Sequence, residues 1–579
     1  MKRRVNPSKN LMAAILILAA FVLMGLPAKG IAGPSKVPSP LAAGEKRPEG
    51  YQRVVDEMRA WDLKKADEVL SELRRKNPGL PVWDALKGAI AYLRGDYAGS
   101  IESLSGALQK NPGDSEWLEL RLHVKQSQSA LSGFRVFRTK HFDIWHDPKK
   151  DLILLPYLAK TMEAAYEVFG KILGVRPTRR VKMEIFSDPE RFHKASTLTR
   201  RDIEKGVVGL TKFNKVMIIS PGVLQRGYRW LDTAAHEYVH YLIVLATKNK
   251  SPIWLHEGIA KHMEKKWRGL KLPPLNPSEL SLLARAQSEK LFIPFKSMEP
   301  SLIYLKTAEA VQLAYAESAS AVDFIRRRVG KDALPKMFKA IRETPAAKSL
   351  SVGTRSPDSG GARPPMSRPS LIELEATGPP QTATPALEEL LKVNLEKFEK
   401  IWRDDLKRQN LRIHPGATVR KYKLKPTGPV VDSGADLALL KSAVARRRTR
   451  LADRLWLRGR MKAALVEYKR ALRDEPYSPA LLNRLARVEL RLRLLQRALR
   501  NLQKAVEVDP DYGATFIHRG IAYEMSGKMK SARKAWEEAI QINPFDPLPH
   551  ERLAILYEKS GLSKDARREF ELARKLRGS

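Results

Sequence analysis

An internal period of 34 residues near the C-terminal end limits what this chain can fold into more than any other feature. Pro476, Pro510 and Pro544 are separated by 34, as are Ala464, Ala498, Ala532 and Ala566, and again Ala471, Ala505, Ala539 and Ala573. A period of that length predicts stacked helix pairs, because one such unit cannot bury its apolar face without a neighbour. Ala486, Gly520 and Ala554 are small enough to let two helices approach, and Tyr468, Leu502, Trp536 and Phe570 are expected to fill the space between them. Gly459, Gly527 and Gly561 are placed for the turn inside each pair, with Arg493 standing where the series calls for glycine.

The spacing is that of tetratricopeptide repeats, and it assigns 445–579 to an all-α solenoid. A fainter pair occupies 49–133, where Pro78 and Pro112 are again 34 apart and Gly88, Gly95 and Ala107 fall in register. Two units alone are marginal, so this block is expected to dock on the neighbouring domain. Repeats of this kind hold a peptide or another protein. Residues 441–500 carry 18 Lys or Arg against 5 Asp or Glu, a density that is most commonly a solvated basic helix face and that also suits acidic peptides, a polyanion or an anionic membrane surface. No nucleic-acid recognition motif accompanies the charge, and nucleic acid is not an expected partner.

The centre of the chain carries a second signal. His236-Glu237-Tyr238-Val239-His240 lies within 231–246, whose apolar residues recur at helical spacing. Residues four apart stand one turn above each other, so His236 and His240 can aim both imidazoles at one ion, with Glu237 beside them. Zinc in a hydrolase takes three protein ligands and leaves a position open for water. The candidate for the third ligand is Glu257, in Trp254-Leu255-His256-Glu257-Gly258-Ile259-Ala260, on a second apolar helix expected over 253–263 after Pro252. Glu237 would accept the proton of the attacking water and pass it to the leaving nitrogen. His256 points about 100° away from Glu257 on a helix, which makes it a supporting or packing residue rather than a ligand. A three-histidine arrangement is disfavoured, since Ile243 and Ala246 occupy the positions where it needs Gly and His.

These residues resemble the gluzincin peptidases, and most closely the peptidase MA-like domains of bacterial envelope proteins. The resemblance covers 134–408 and rests on the two metal helices. It implies an α+β thermolysin-like zincin fold, with a small mixed sheet ahead of the first helix. Residues 181–186 and 216–219 read as strands of such a sheet. It also implies that 206–220 forms the edge that pairs with extended substrate, a mode that reads backbone with loose side-chain preference. Tyr315 lies at about the distance from Glu257 at which related aminopeptidases place an oxyanion-stabilising tyrosine, and a plain core tyrosine suits its surroundings equally. No counterpart of the motif that grips a free substrate amine precedes the helix, which points to an endopeptidase. Lys261 stands where thermolysin-like enzymes carry a supporting Asp, so what orients the histidines is open.

With 579 residues the chain exceeds one core. Its formal charge of +41 stays strongly positive without Lys2, Arg3, Arg4, Lys9 and Lys29 of the first segment. That segment, 1–32, has a basic start, an apolar run over 11–26 and small residues after it, and reads as a secretory signal or an uncleaved anchor. An exported chain without cysteine suits the bacterial periplasm or cell envelope. Residues 345–385, rich in Pro, Ser, Gly and Thr, are expected to be a disordered insert in the 134–408 domain. An amphipathic helix over 387–406 is expected to return to that domain, and a charged linker, 409–444, to permit motion of the repeats.

The combined reading is a zinc-dependent peptidase, acting on envelope proteins or peptides, whose repeats bind client or partner. The alternative is a non-catalytic scaffold in which the repeats assemble an envelope complex.

Overall fold

The computed structural model describes residues 48–204, 206–269, 272–299, 301–344, 383–416, 422–425, 437 and 440–578. The first segment, 1–32, and the insert read at 345–385 lie outside the described residues, except that Ala383 to Pro385 lead into a helix.

Five helices open the described chain: α1 (Tyr51–Arg59), α2 (Leu63–Lys76), α3 (Pro81–Leu93), α4 (Tyr97–Lys110) and α5 (Ser115–Ala130). Asp62, Asp96 and Asp114 cap the N-termini of α2, α4 and α5 by accepting from the amides of Lys65, Gly99 and Trp117. These helices do dock on the neighbouring domain. Tyr92 packs on Phe213 with ring centroids 5.3 Å apart, and the Asn214 amide donates to the Leu93 carbonyl at 3.1 Å. Phe213 and Asn214 both have φ of 56°, the left-handed geometry of a two-residue hairpin turn. Docking therefore holds a strained turn in place.

That turn joins two strands of a five-stranded sheet, built from β1 (Arg135–Arg138), β2 (Phe142–His146), β3 (Val181–Phe186), β4 (Gly209–Lys212) and β5 (Lys215–Ile219) in the order β1-β2-β3-β5-β4. β2, β3 and β5 are parallel, and β1 and β4 run antiparallel on the two edges. β3 and β5 are almost wholly buried because helices cover both their faces. The segment 206–220 is thus a hairpin rather than one edge: β4 alone lies at the border, and β5 is interior.

Helices α6 (Leu155–Leu173), α7 (Pro189–Ser196) and α8 (Arg200–Glu204) accompany the sheet, and α9 (Trp230–Thr247) crosses it. Tyr238 of α9 is fully buried, its ring 5.1 Å from Phe142 and 6.3 Å from Phe169. α10 (Ile253–Met263), α11 (Pro277–Glu289), α12 (Ala308–Val329) and α13 (Ala333–Glu343) form the second half. The helix expected over 387–406 is two, α14 (Thr384–Leu391) and α15 (Leu395–Arg408). Lys392 adopts φ of 58° and Asn394 caps α15, which breaks the continuous pattern. α15 returns to the domain: Trp402 donates to Ser320 at 3.2 Å, and Phe398 stacks on Trp254 at 5.8 Å.

Four helix pairs complete the chain: α16 (Ala443–Leu457) with α17 (Met461–Asp474), α18 (Pro479–Arg491) with α19 (Leu495–Val508), α20 (Gly513–Met525) with α21 (Met529–Ile540), and α22 (Pro547–Lys559) with α23 (Ser563–Arg577). Tyr468, Leu502 and Trp536 are fully buried between helices, and a Cβ at Gly520 would overlap the Trp536 ring. Phe570 departs from the series and is 42% exposed. Among the described residues no pair stacks beyond α23, and the inward position there is taken by Glu569, which His550 and Tyr157 hold.

The repeats contact the central domain through a cluster of ion pairs. Arg229, the residue before α9, contacts Asp511 at 2.6 Å, Glu538 at 2.5 Å and the Pro510 carbonyl at 2.9 Å. Arg268 links the same Glu538, at 2.9 Å, to Asp232 of α9. The Tyr228 amide and the Trp230 indole donate to the carbonyls of Ile542 and Ile540. Of the linker expected over 409–444, residues 417–421, 426–436, 438 and 439 lie outside the described residues.

Candidate metal centre

α9 and α10 bring His236, His240 and Glu257 together, as the spacing anticipates. The Nε2 atoms of the two histidines lie 3.1 Å apart, and Glu257 Oε2 is 3.3 Å from each. These are the only three His, Cys, Asp or Glu residues grouped for metal binding among the described residues. A tetrahedral ion bound at about 2.0–2.1 Å separates its ligands by about 3.3–3.4 Å, so the triangle has the edge length of a zinc-sized site. The three side chains are 12–13% exposed, which leaves an approach from solvent.

The Nδ1 atoms of the two histidines face partners outside the triangle. His236 Nδ1 donates to Glu264 Oε2 at 3.2 Å, which turns the Nε2 lone pair toward the cluster. His240 Nδ1 lies 3.4 Å from Nδ1 of His256. Burial pushes His256 down to about 3, which keeps this imidazole neutral. His256 stands outside the triangle, against His240. Burial opposes charge on His236, yet its hydrogen bonds to Glu257 and Glu264 push it up to about 10.

Glu264 is the residue that the sequence reading missed. It lies seven positions, two helical turns, beyond Glu257, and takes the supporting role left vacant by Lys261. Lys261 serves that arrangement indirectly, bridging Glu264 and Glu279 at 2.8 Å each. His262 faces away, against Arg326 and Asp323.

Glu237 is buried beside the triangle. The Thr211 hydroxyl lies 2.9 Å from Glu237 Oε2 and 2.7 Å from its carbonyl oxygen. Burial lifts the Glu237 carboxyl above the usual range, partly offset by His240 and His236. A Cβ on Gly209 would come within 2.7 Å of Glu237 Oε1, so glycine lets border strand β4 pass close to this carboxyl.

Tyr315 sits over the cluster, its ring centroid 6.3 Å from that of His236. Gly258 accounts for the placement. A Cβ there would overlap the Ser318 carbonyl oxygen and come within 2.8 Å of Val322 Cγ2, so α12 rests directly on α10. Tyr315, one turn before Ser318, is carried to the metal side. Burial and the carboxylates of Glu257 and Glu237 raise its phenol well above its ordinary range, keeping it a neutral hydrogen-bond donor.

Comparison with known proteins concerns the helix pairs. Residues 483–547 match the family described as Tetratricopeptide repeat. The C-terminal array consists of tetratricopeptide repeats. Similar solved structures include MamA, at 21% identity, covering 23% of this chain and 78% of that one with a TM-score of 0.22. A thermophilic tetratricopeptide protein of Thermus thermophilus is 27% identical over 23% of this chain and 75% of that one, with a TM-score of 0.22. The first tetratricopeptide domain of Spaghetti, bound to an HSP90 peptide, is 20% identical over 21% and 97%, with a TM-score of 0.21. No curated protein matches the chain. Tetratricopeptide repeats are protein- and peptide-binding modules, and the family match lies outside the two helices that carry His236, His240 and Glu257.

Proposed function

We propose that the chain is a zinc-dependent endopeptidase of the gluzincin type, with its zincin domain at 134–408 and repeats that bind client or partner. The observation that carries this reading is the triangle of His236, His240 and Glu257, with a buried carboxylate, Glu237, directly beside it. Zinc held by those three residues would supply a Lewis acid and lower the pKa of water. Glu237 then takes a proton from the attacking water and delivers it to the amine that leaves. Tyr315 offers its hydroxyl to the oxygen that becomes negative as the carbonyl is attacked. Glu264 and His256 keep the two imidazoles aimed. Strand β4 presents an open edge to an extended chain: the Ile219 amide donates to the Val208 carbonyl, so by antiparallel alternation Gly209 and Thr211 turn their backbone groups outward. With the basic and apolar first segment read as an export signal, the activity proposed is one at the cell envelope, on proteins or peptides there.

The test is hydrolysis of a mixed peptide library by the wild-type chain and by Glu237→Gln. Cleavage by the first, and loss of about 10²–10⁴ in rate by the second with metal retained, supports the reading. Equal activity, or none in a metal-loaded wild type, contradicts it.

A second reading is favoured by a separate observation, that the family match falls on the repeats. In it the chain is a scaffold for an envelope complex, and its partners remain bound when Glu237 is replaced by Gln.

A further inference from the structure

The two rims of the repeat array carry opposite charge. Successive first helices stack side by side, as the 2.8 Å hydrogen bond from Asn483 of α18 to Thr515 of α20 shows. All turns inside a pair therefore line one rim, and all turns between pairs line the other, about 20 Å away across helices of 12–15 residues. The turns between pairs, 474–478, 509–512 and 541–546, contain five carboxylates and no Lys or Arg. That rim is occupied: Asp511, Pro510, Ile542 and Phe545 rest on Arg229, Tyr228 and Gly222 of the metal-binding domain.

The other rim is its inverse. The turns inside pairs, 457–462, 491–494, 526–530 and 559–564, hold nine Lys or Arg and no Asp or Glu. All nine are exposed, and none is paired with a carboxylate among the described residues. Apolar residues stand out between the cations: Leu457 is 81% exposed, Met529 44% and Leu562 41%. Met529 lies between Lys528 and Lys530, Leu457 beside Arg458, and Leu562 within the span from Lys559 to Lys564.

We propose that this rim docks on an anionic lipid surface. Charge complementarity is the first ground. Shape is the second, because a row of protruding turns fits a plane, whereas a peptide needs a groove. The alternation of cation and exposed apolar side chain is the third, since it lets the apolar groups enter the headgroup boundary while the cations stay among the phosphates. The opposite rim holds the metal-binding domain, so docking would leave that domain facing away from the membrane. The inference does not depend on catalysis.

The experiment is vesicle flotation of the full chain on phosphatidylcholine alone and with about one third phosphatidylglycerol, an anionic fraction high enough for basic clusters to respond. One variant replaces Arg458, Arg460, Arg491 and Lys528 by Gln. A control replaces four exposed cations elsewhere, Lys171, Lys331, Lys336 and Lys339, by Gln. All keep the N-terminal apolar run, so any affinity it contributes is common to them, and unchanged melting establishes that the variants fold. The expected result is a preference of the wild type and the control for anionic vesicles, reduced at least about ten-fold in the rim variant. Leu457→Ser with Met529→Ser should weaken binding without changing its salt dependence. Equal binding by wild type and rim variant, an equal loss in the control, or rim-dependent capture of polyglutamate without any of anionic vesicles would overturn the proposal.

Discussion

Arg229, which precedes the first turn of the helix bearing His236 and His240, is held at 2.5 Å by Glu538 of the third repeat pair. The same carboxylate reaches Arg268, and through it Asp232 of that helix. Removing Glu538 leaves two largely buried guanidinium groups short of a partner, and Glu538→Ala should cost about 3–5 kcal/mol. Urea denaturation of the variant is the check. A change within about 0.5 kcal/mol, usual for a surface site, would show that the ion-pair cluster contributes little.

Gly258 sits where α12 touches α10. Gly258→Ala forces the Ser318 carbonyl away and should destabilise the chain by about 1–3 kcal/mol, while moving Tyr315 from His236. Thermal melting, together with metal affinity, distinguishes this from simple gain of helix propensity, which would stabilise.

Glu264 receives the proton on His236 Nδ1. Glu264→Gln keeps the shape and removes the charge that orients and polarises the imidazole, and zinc affinity should fall about 10–100-fold. Competition with a chromophoric chelator measures it. Unchanged affinity would mean that Glu264 is held by Lys261 for packing alone.

Arg493 adopts φ of 59° at the turn where the other three pairs have glycine, at 71° to 74°. Arg493→Gly should raise stability by up to about 1 kcal/mol, because glycine meets no Cβ penalty in that conformation. A decrease in the denaturation midpoint would instead assign the arginine a contact that outweighs its strain.

Local periodicity made the repeats and both helices of the candidate site legible. The expected span 253–263 coincides with α10, and α9 extends the expected 231–246 by one residue at each end. What periodicity cannot reach is pairing between distant segments. Nothing local in 206–220 distinguishes one edge strand from a hairpin once Phe213, a residue that disfavours positive φ, occupies the turn. Its conformation is stabilised by Tyr92 and His123 from the N-terminal helices. Glu264 was readable in principle from its two-turn offset to Glu257, but it lies just past the end of α10, where a family pattern centred on the fourth position gives no reason to look. The ion-pair cluster was invisible for a different reason. Its acidic residues, Asp511 and Glu538, look like ordinary solvated charges until Arg229 and Arg268 are seen against them.

The most direct measurement of the central claim is the zinc content of the purified chain by elemental analysis after dialysis against a weak chelator, for wild type and for Glu257→Ala. About one zinc per wild-type chain and little in the variant is the predicted result, since two histidines alone hold the ion poorly. A folded wild type without stoichiometric zinc, or a variant that retains it in full, would contradict the account.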